Sequence, residues 1–272
     1  MRSQLLALAV LTLASTVACD DDPKSRLLSK TEAGPPDASS VLVVPPTSAT
    51  GSSTAAASAT PKKKADCNVP ASGAITFTDK ILEKEIYRKL QRDGGSGPIT
   101  RADLLAVHSL NLTIYGKISS LDPCILPLMT NVKEIFVGEG DVDDLSPLAN
   151  LTQLETLRAA INKVTDLQPL EKLTRLDRLD ISHTGVTDLK SLQYLPNLTE
   201  LTIDEDNVTD LGPIANAKKM EVLSIKKTPI KDLTPLKDMK KLKKLYIEGS
   251  GVTDFSVLQP LRGGGLQILT KG

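Results

Sequence analysis

The chain has 272 residues, with 33 basic against 33 acidic side chains, no Trp, and aromatic residues at 3%. Balanced charge removes the global electrostatic case for nucleic acid, and so few rings exclude a core built on aromatic packing. Aliphatic side chains must fill the core, and 40% hydrophobic residues is enough to fold most of the chain.

Residues 1–18 read MRSQLLALAVLTLASTVA: an early Arg2, then an apolar run from Leu5 to Ala18 closing on small residues. This is the plan of a signal peptide, and the run is too short to span a bilayer, so the chain is expected to be exported. Thr16-Val17-Ala18-Cys19 resembles the lipobox of bacterial lipoproteins, although Thr16 stands where that motif usually has a branched aliphatic residue. The resemblance implies lipidation at Cys19, a mature chain anchored to a membrane, and a place in the bacterial cell envelope, periplasmic or at the surface. Ordinary cleavage after Ala18, leaving Cys19 a free thiol, is the alternative.

Between Cys19 and Cys67 periodicity disappears: six prolines occur, and every residue from Thr47 to Thr60 is Ala, Ser, Thr or Gly. Such a composition buries too little apolar surface to offset chain entropy, so residues 19–66 are expected to form a disordered linker behind the anchor cysteine. A coil of this length reaches about 40 Å. Lys62-Lys63-Lys64 lies near its end, as solvated charge or as a contact for anionic lipid. The three cysteines of the chain leave one over if two pair, and Cys67 with Cys124 is the natural disulfide, the alternative being two separate buried thiols.

Residues 67–109 are expected to form a helical cap. Thr78 precedes a run with Leu82, Ile86 and Leu90 on one stripe, stopped at Gly94-Gly95. Thr100-Arg101-Ala102-Asp103 has the form of a capping box, with Asp replacing the usual Glu, and opens a second short helix through Val107. Leu110-Asn111-Leu112 then has the alternation of a first strand, and an irregular repeat follows through Ile135 and Val137.

From Asp144 a dipeptide recurs at a constant step of 22 residues: Asp144-Leu145, Asp166-Leu167, Asp188-Leu189, Asp210-Leu211, Asp232-Leu233 and Asp254-Phe255. The frame is clearest in VTDLQPLEKLTRLDRLDISHTG, residues 164–185, with apolar Val164, Leu167, Leu170, Leu173, Leu176, Leu179 and Ile181. The end of L-x-x-L-x-L has period two and predicts a short strand with Leu179 and Ile181 inward. The three-residue leucine steps from Leu167 to Leu176 predict a tight 3₁₀-like return. One repeat is one coil, which cannot bury its apolar face alone, so neighbours must stack. The recurrent Asp is placed to cap the return, and Pro147, Pro169, Pro213 and Pro235 fall where no N–H donor is needed.

These V-T-D-L-x-P-L and L-T-x-L elements resemble the 22-residue leucine-rich repeats of internalin-like bacterial proteins over residues 110–272. The resemblance implies an α/β solenoid: a right-handed leucine-rich repeat with short parallel strands on a concave face, 3₁₀-like turns on the convex side and an N-terminal helical cap. Strands are expected near Leu157, Leu179, Leu201, Leu223 and Leu245, with a last one at Leu266 to Ile268. Where the family often stacks Asn between coils, this chain has Asn162, Thr184, Asp206, Thr228 and Ser250, which predicts a looser ladder.

Motifs for catalysis are thin, and no enzyme activity, cofactor or metal is expected. The two histidines, His108 and His183, are in no H-x-x-x-H or H-E-x-x-H spacing, and no C-x-x-C or G-x-S-x-G occurs. Gly94-Gly95-Ser96-Gly97 lacks the Lys of a phosphate loop. Asp141-Val142-Asp143 and Asp204-Glu205-Asp206 lack the Gly and Glu positions of an EF-hand, and solvated loops are the simpler reading.

What remains is a surface for binding. Residues flanking the inward positions of each strand point out of the concave face. These are Glu134 and Phe136; Arg158; Arg178 and Asp180; Glu200, Thr202 and Asp204; Lys226; and Lys244, Tyr246 and Glu248, joined by the smaller Thr156, Ala160, Ser182, Val222 and Ser224. The family resemblance implies that aromatic patches there engage protein partners, and here Phe136 and Tyr246 are the face's only rings. Charge is also segregated: residues 131–216 carry 7 basic and 16 acidic side chains, residues 217–272 carry 12 and 5. The expected function is therefore a membrane-tethered, non-catalytic binding module for a protein or envelope ligand. The alternative is a structural envelope component that self-associates weakly through its complementary ends. Nucleic acid is not an expected partner of an exported chain.

Overall fold

A computed structural model describes residues 67–92 and 97–271. The signal peptide, Cys19, the linker with Lys62 to Lys64, and Gly94-Gly95 lie outside the described residues. Among the described residues no helix is long and apolar enough to cross a membrane.

Helix α1, Lys80–Lys89, begins one residue later than Thr78 suggests: the Asp79 carboxylate accepts the Ile81 and Leu82 N–H groups at 2.8 and 3.1 Å. Leu82 and Ile86 are fully buried, so the stripe expected from the spacing is the face that packs. Helix α2, Arg101–Ala106, carries the expected capping box, with Thr100 and Asp103 satisfying each other's backbone donors. Cys67 and Cys124 form a disulfide that joins the segment before α1 to the first irregular coil.

Eight three-residue strands follow in one sheet, all parallel and in chain order. They are β1 Ser109–Asn111, β2 Glu134–Phe136, β3 Thr156–Arg158, β4 Arg178–Asp180, β5 Glu200–Thr202, β6 Val222–Ser224, β7 Lys244–Tyr246 and β8 Gln267–Leu269. Each central residue faces the core: Ile135, Leu157, Leu179, Leu201, Leu223 and Leu245 pair side by side and are buried. From β2 to β7 partners are 22 residues apart, whereas Ser109 pairs with Glu134 and Lys244 with Gln267. The first and last strands thus form, each offset by one residue from the expected segment.

The Asp row caps the return turns. Asp144, Asp166, Asp188, Asp210, Asp232 and Asp254 each accept the N–H two residues on, at 2.7–2.8 Å. Each capped residue opens a 3₁₀ turn, and Pro147, Pro169, Pro213 and Pro235 occupy early turn positions. Between turn and strand, the leucines of residues 164–181 are almost wholly buried, with Leu167 at 3% the most exposed. The core is a continuous column of aliphatic side chains.

The coils of β3 to β7 leave their strands through a left-handed residue. Ile161, His183, Glu205, Lys227 and Gly249 have φ of 56°, 54°, 61°, 52° and 66°. The first four are not glycine, and Ile161 is β-branched, which makes it a genuine outlier. The fold holds them there because the N–H of each of those four bonds to a carbonyl of the next coil, from Ile161 to Ser182 through Lys227 to Glu248. Gly140 is a different case: a Cβ there would lie 1.9 Å from the Ile118 carbonyl oxygen, so only glycine permits that close approach.

Candidate binding face

The strand register sorts the expected face residues into rows. One row runs Glu134, Thr156, Arg178, Glu200, Val222, Lys244; the next runs Phe136, Arg158, Asp180, Thr202, Ser224, Tyr246. Asp204, Lys226 and Glu248 stand two residues beyond their strands. Of these, Glu134, Arg158, Arg178 and Lys244 are exposed and most others half-buried. Thr156 and Ser224, expected to point out freely, are instead buried, at 5% and 6% exposure. Short side chains between longer neighbours on adjacent strands are covered by them.

Two clusters emerge. In the first, the Arg158 guanidinium carbon lies 5.8 Å from the centre of the Phe136 ring, across the β2–β3 pair. Arg158, Arg178, Asp180 and Glu200 line a shallow depression beside it. The second is a polar chain. The Asp180 carboxylate accepts the Ser182 hydroxyl at 2.8 Å, the Ser182 oxygen accepts the Asp204 N–H at 3.2 Å, and Asp204 accepts the Ser224 hydroxyl at 2.6 Å. Lys226 Nζ completes it 3.1 Å from Asp204 Oδ2. Lys226 pairs with Asp204 and the Ser182 N–H and hydroxyl serve Asp180, whereas Arg158 has no carboxylate partner among the described residues. Phe136 and Tyr246 stand on β2 and β7 and do not form one aromatic patch.

Sequence reasoning missed one residue. The position after each strand does not form a uniformly looser ladder. Asn162 is buried and stacks as the family does: its amide donates to the carbonyls of Gly138, Ala159 and Ala160 and accepts the Val142 N–H. Thr228 turns its hydroxyl back to the Ile225 carbonyl within its own coil, whereas the single Thr184 hydroxyl proton lies between the Ile181 carbonyl and Asp206 of the next coil. Asp206 is buried at 1% exposure; its Oδ1 accepts the Thr184 N–H and hydroxyl at 2.8 and 3.0 Å, while Oδ2 is buried without a hydrogen-bond partner. Burial pushes its carboxyl up to about 6, against the lowering effect of the Thr184 donors. The signal was visible in the alignment of repeats, as an acid where the neighbours are neutral.

The remaining candidates separate. Asp204, Glu205 and Asp206 diverge to the face, the flank and the interior, and Glu205 sits between His183 Nδ1 and Lys227 Nζ at 3.1 and 2.8 Å. Asp141 pairs with Lys163 at 2.6 Å. His108 is exposed at the entry to β1, three strands from His183, so the two histidines do not converge. Among the described residues no cluster of three or more His, Cys, Asp or Glu is placed to hold a metal ion.

Comparison with known proteins accords with this geometry. The family of leucine-rich repeats in two copies matches residues 152–194. An internalin (inlF) from Listeria monocytogenes superposes with a TM-score of 0.65 at 26% identity, covering 71% of this chain and 56% of that one. The chain therefore spans little more than half the length of that relative. Internalin C2 (inlC2) of the same organism gives 0.61 at 22% identity, over 75% of this chain and 100% of that one. No curated protein is significantly similar in sequence.

Proposed function

We propose that this leucine-rich repeat protein, an internalin-like solenoid, is a non-catalytic binding module that recognises a protein ligand on its strand face. The observation that carries the reading is the contact of Phe136 with Arg158, which has no carboxylate partner among the described residues. Aromatic and Arg side chains are the residue types that anchor protein interfaces. The neighbouring Glu134, Arg178, Asp180 and Glu200 supply a charged rim, and Thr202, Asp204, Lys226, Lys244, Tyr246 and Glu248 extend the face toward the last coils. Recognition then works by shape and charge on a rigid scaffold, with no bond made or broken.

The export signal and the lipobox-like stretch ending at Cys19 support a place in the cell envelope. Two experiments test this reading. Immobilised solenoid is exposed to envelope extract beside Phe136→Ala, Arg158→Glu and, as a flank control, Lys172→Glu. A protein that binds saturably at 1:1 and is lost in the first two variants alone supports the reading; retention unaffected by both refutes the face. Metabolic labelling with a palmitate analogue tests the anchor: label must disappear on Cys19→Ser.

A further inference from the structure

The lysines of the last coils gather on one flank. Lys218 and Lys219 lie four and three residues before β6, and Lys240 and Lys241 hold the same positions before β7. Because β6 and β7 are hydrogen-bonded neighbours in a constant register, the two pairs stack one coil apart, about 4.8 Å between strands. Lys243 and Lys244 continue the row into β7. All six are exposed. Lys219 donates to Asn197 and Lys243 pairs with Glu221, while Lys218, Lys240, Lys241 and Lys244 have no ion-pair partner among the described residues. Glu221 and Asp238 are the neighbouring acids, too few to neutralise the patch.

We infer that this flank is a docking surface for the anionic headgroups of a phospholipid membrane. The side-chain chemistry selects that partner. Lysines are hydrated point charges on flexible stems, without the planar fork that gives Arg its bidentate specificity. The exposed large apolar residues, Leu105, Ile114, Ile161 and Tyr194, all lie in other coils, so the patch lacks the anchor a protein hot spot needs. A headgroup layer needs only clustered positive charge, and each lysine near it changes partitioning about fivefold. The inference does not depend on lipid at Cys19 or on the ligand of the strand face.

The test uses residues 61–272, which separate as one compact unit and lack both Cys19 and the apolar leader. Sedimentation with phosphatidylcholine vesicles containing phosphatidylglycerol is compared with pure phosphatidylcholine. The patch variant carries Lys218→Gln, Lys240→Gln and Lys241→Gln, all exposed and outside the strand face, so folding is untouched. The control loses the same charge elsewhere, through Lys84→Gln, Lys117→Gln and Lys172→Gln. Expected is salt-sensitive binding to the anionic vesicles alone, weakened at least about tenfold in the patch variant and kept in the control. No binding to anionic vesicles, or equal loss in both variants, overturns the inference. Binding to soluble dextran sulfate without vesicle binding, or patch-dependent oligomers formed without lipid, overturns it in favour of another polyanion or a second copy.

Discussion

Replacing Asp206 with Asn should make the protein more stable at neutral pH, although it removes a buried charge in contact with two donors. The carboxyl moves from an ordinary 3.8 to about 6 in the folded chain, and the residue is 1% exposed, so solvent does not screen the effect. A raised acid constant means that the folded state resists ionisation. Its unfavourable contribution is absent below the unfolded value, grows as pH rises through 3.8 to about 6, and is complete above that. The difference between the two constants corresponds to about 3 kcal/mol. Asn does not titrate, and its amide takes the place that Asn162 fills two coils upstream, where Nδ2 meets three carbonyls. By the repeat's equivalence, the carbonyls of Ile203 and Asp204 are then within its reach. Urea unfolding of both proteins between pH 4 and pH 8, disulfide intact, should show Asp206→Asn ahead by up to about 3 kcal/mol above pH 6.5, with the gap closing toward pH 4. A variant less stable at pH 7.5, or a gap independent of pH, would refute the reasoning.

Other perturbations have equally definite outcomes. Glu85 is fully buried and accepts from Arg88, the Asn111 N–H and Tyr115; burial raises its carboxyl, but these donors outweigh it and leave it below the usual range. Its contribution is therefore present above the ordinary Glu range and lost as pH falls through the folded value, and Glu85→Ala should cost about 2–3 kcal/mol in thermal unfolding at pH 7. Cys67 and Cys124 are separated by 57 residues, so Cys67→Ser with Cys124→Ser should lower stability by about 4 kcal/mol, read in the same urea assay. Ile161→Asn should gain about 1 kcal/mol by placing a tolerant side chain at a left-handed position, whereas Gly140→Ala should lower the melting temperature.

The coils were legible because their signals are local and repeated. Period-two leucines after period-three leucines state strand and turn, and six Asp residues at one spacing state the caps. The exit residues were not legible, because nothing in the identity of Ile161 or His183 announces a left-handed backbone; the next coil's carbonyls impose it. In the sequence Asp206 is a short polar rung like its neighbours, since only packing reveals that its second oxygen is sealed from water. Alternation along the strands gives the two outward rows, but the burial of Thr156 and Ser224 depends on their neighbours across the sheet. The Phe136 and Arg158 contact likewise depends on strand register, which a linear reading does not display.

The constant register also makes length a discrete variable. Excising residues 164–185 would join Lys163 to Val186, and the broken strand-to-strand backbone hydrogen bonds would find their equivalents one rung along, because neighbouring strands present the same backbone groups in the same register. Adding a coil works the same way. Loss or gain of a single residue enjoys no such equivalence, since it turns every inward leucine of that strand outward. The solenoid can thus change its reach in whole coils while its first coils with their disulfide and its last coils with their lysines stay as they are.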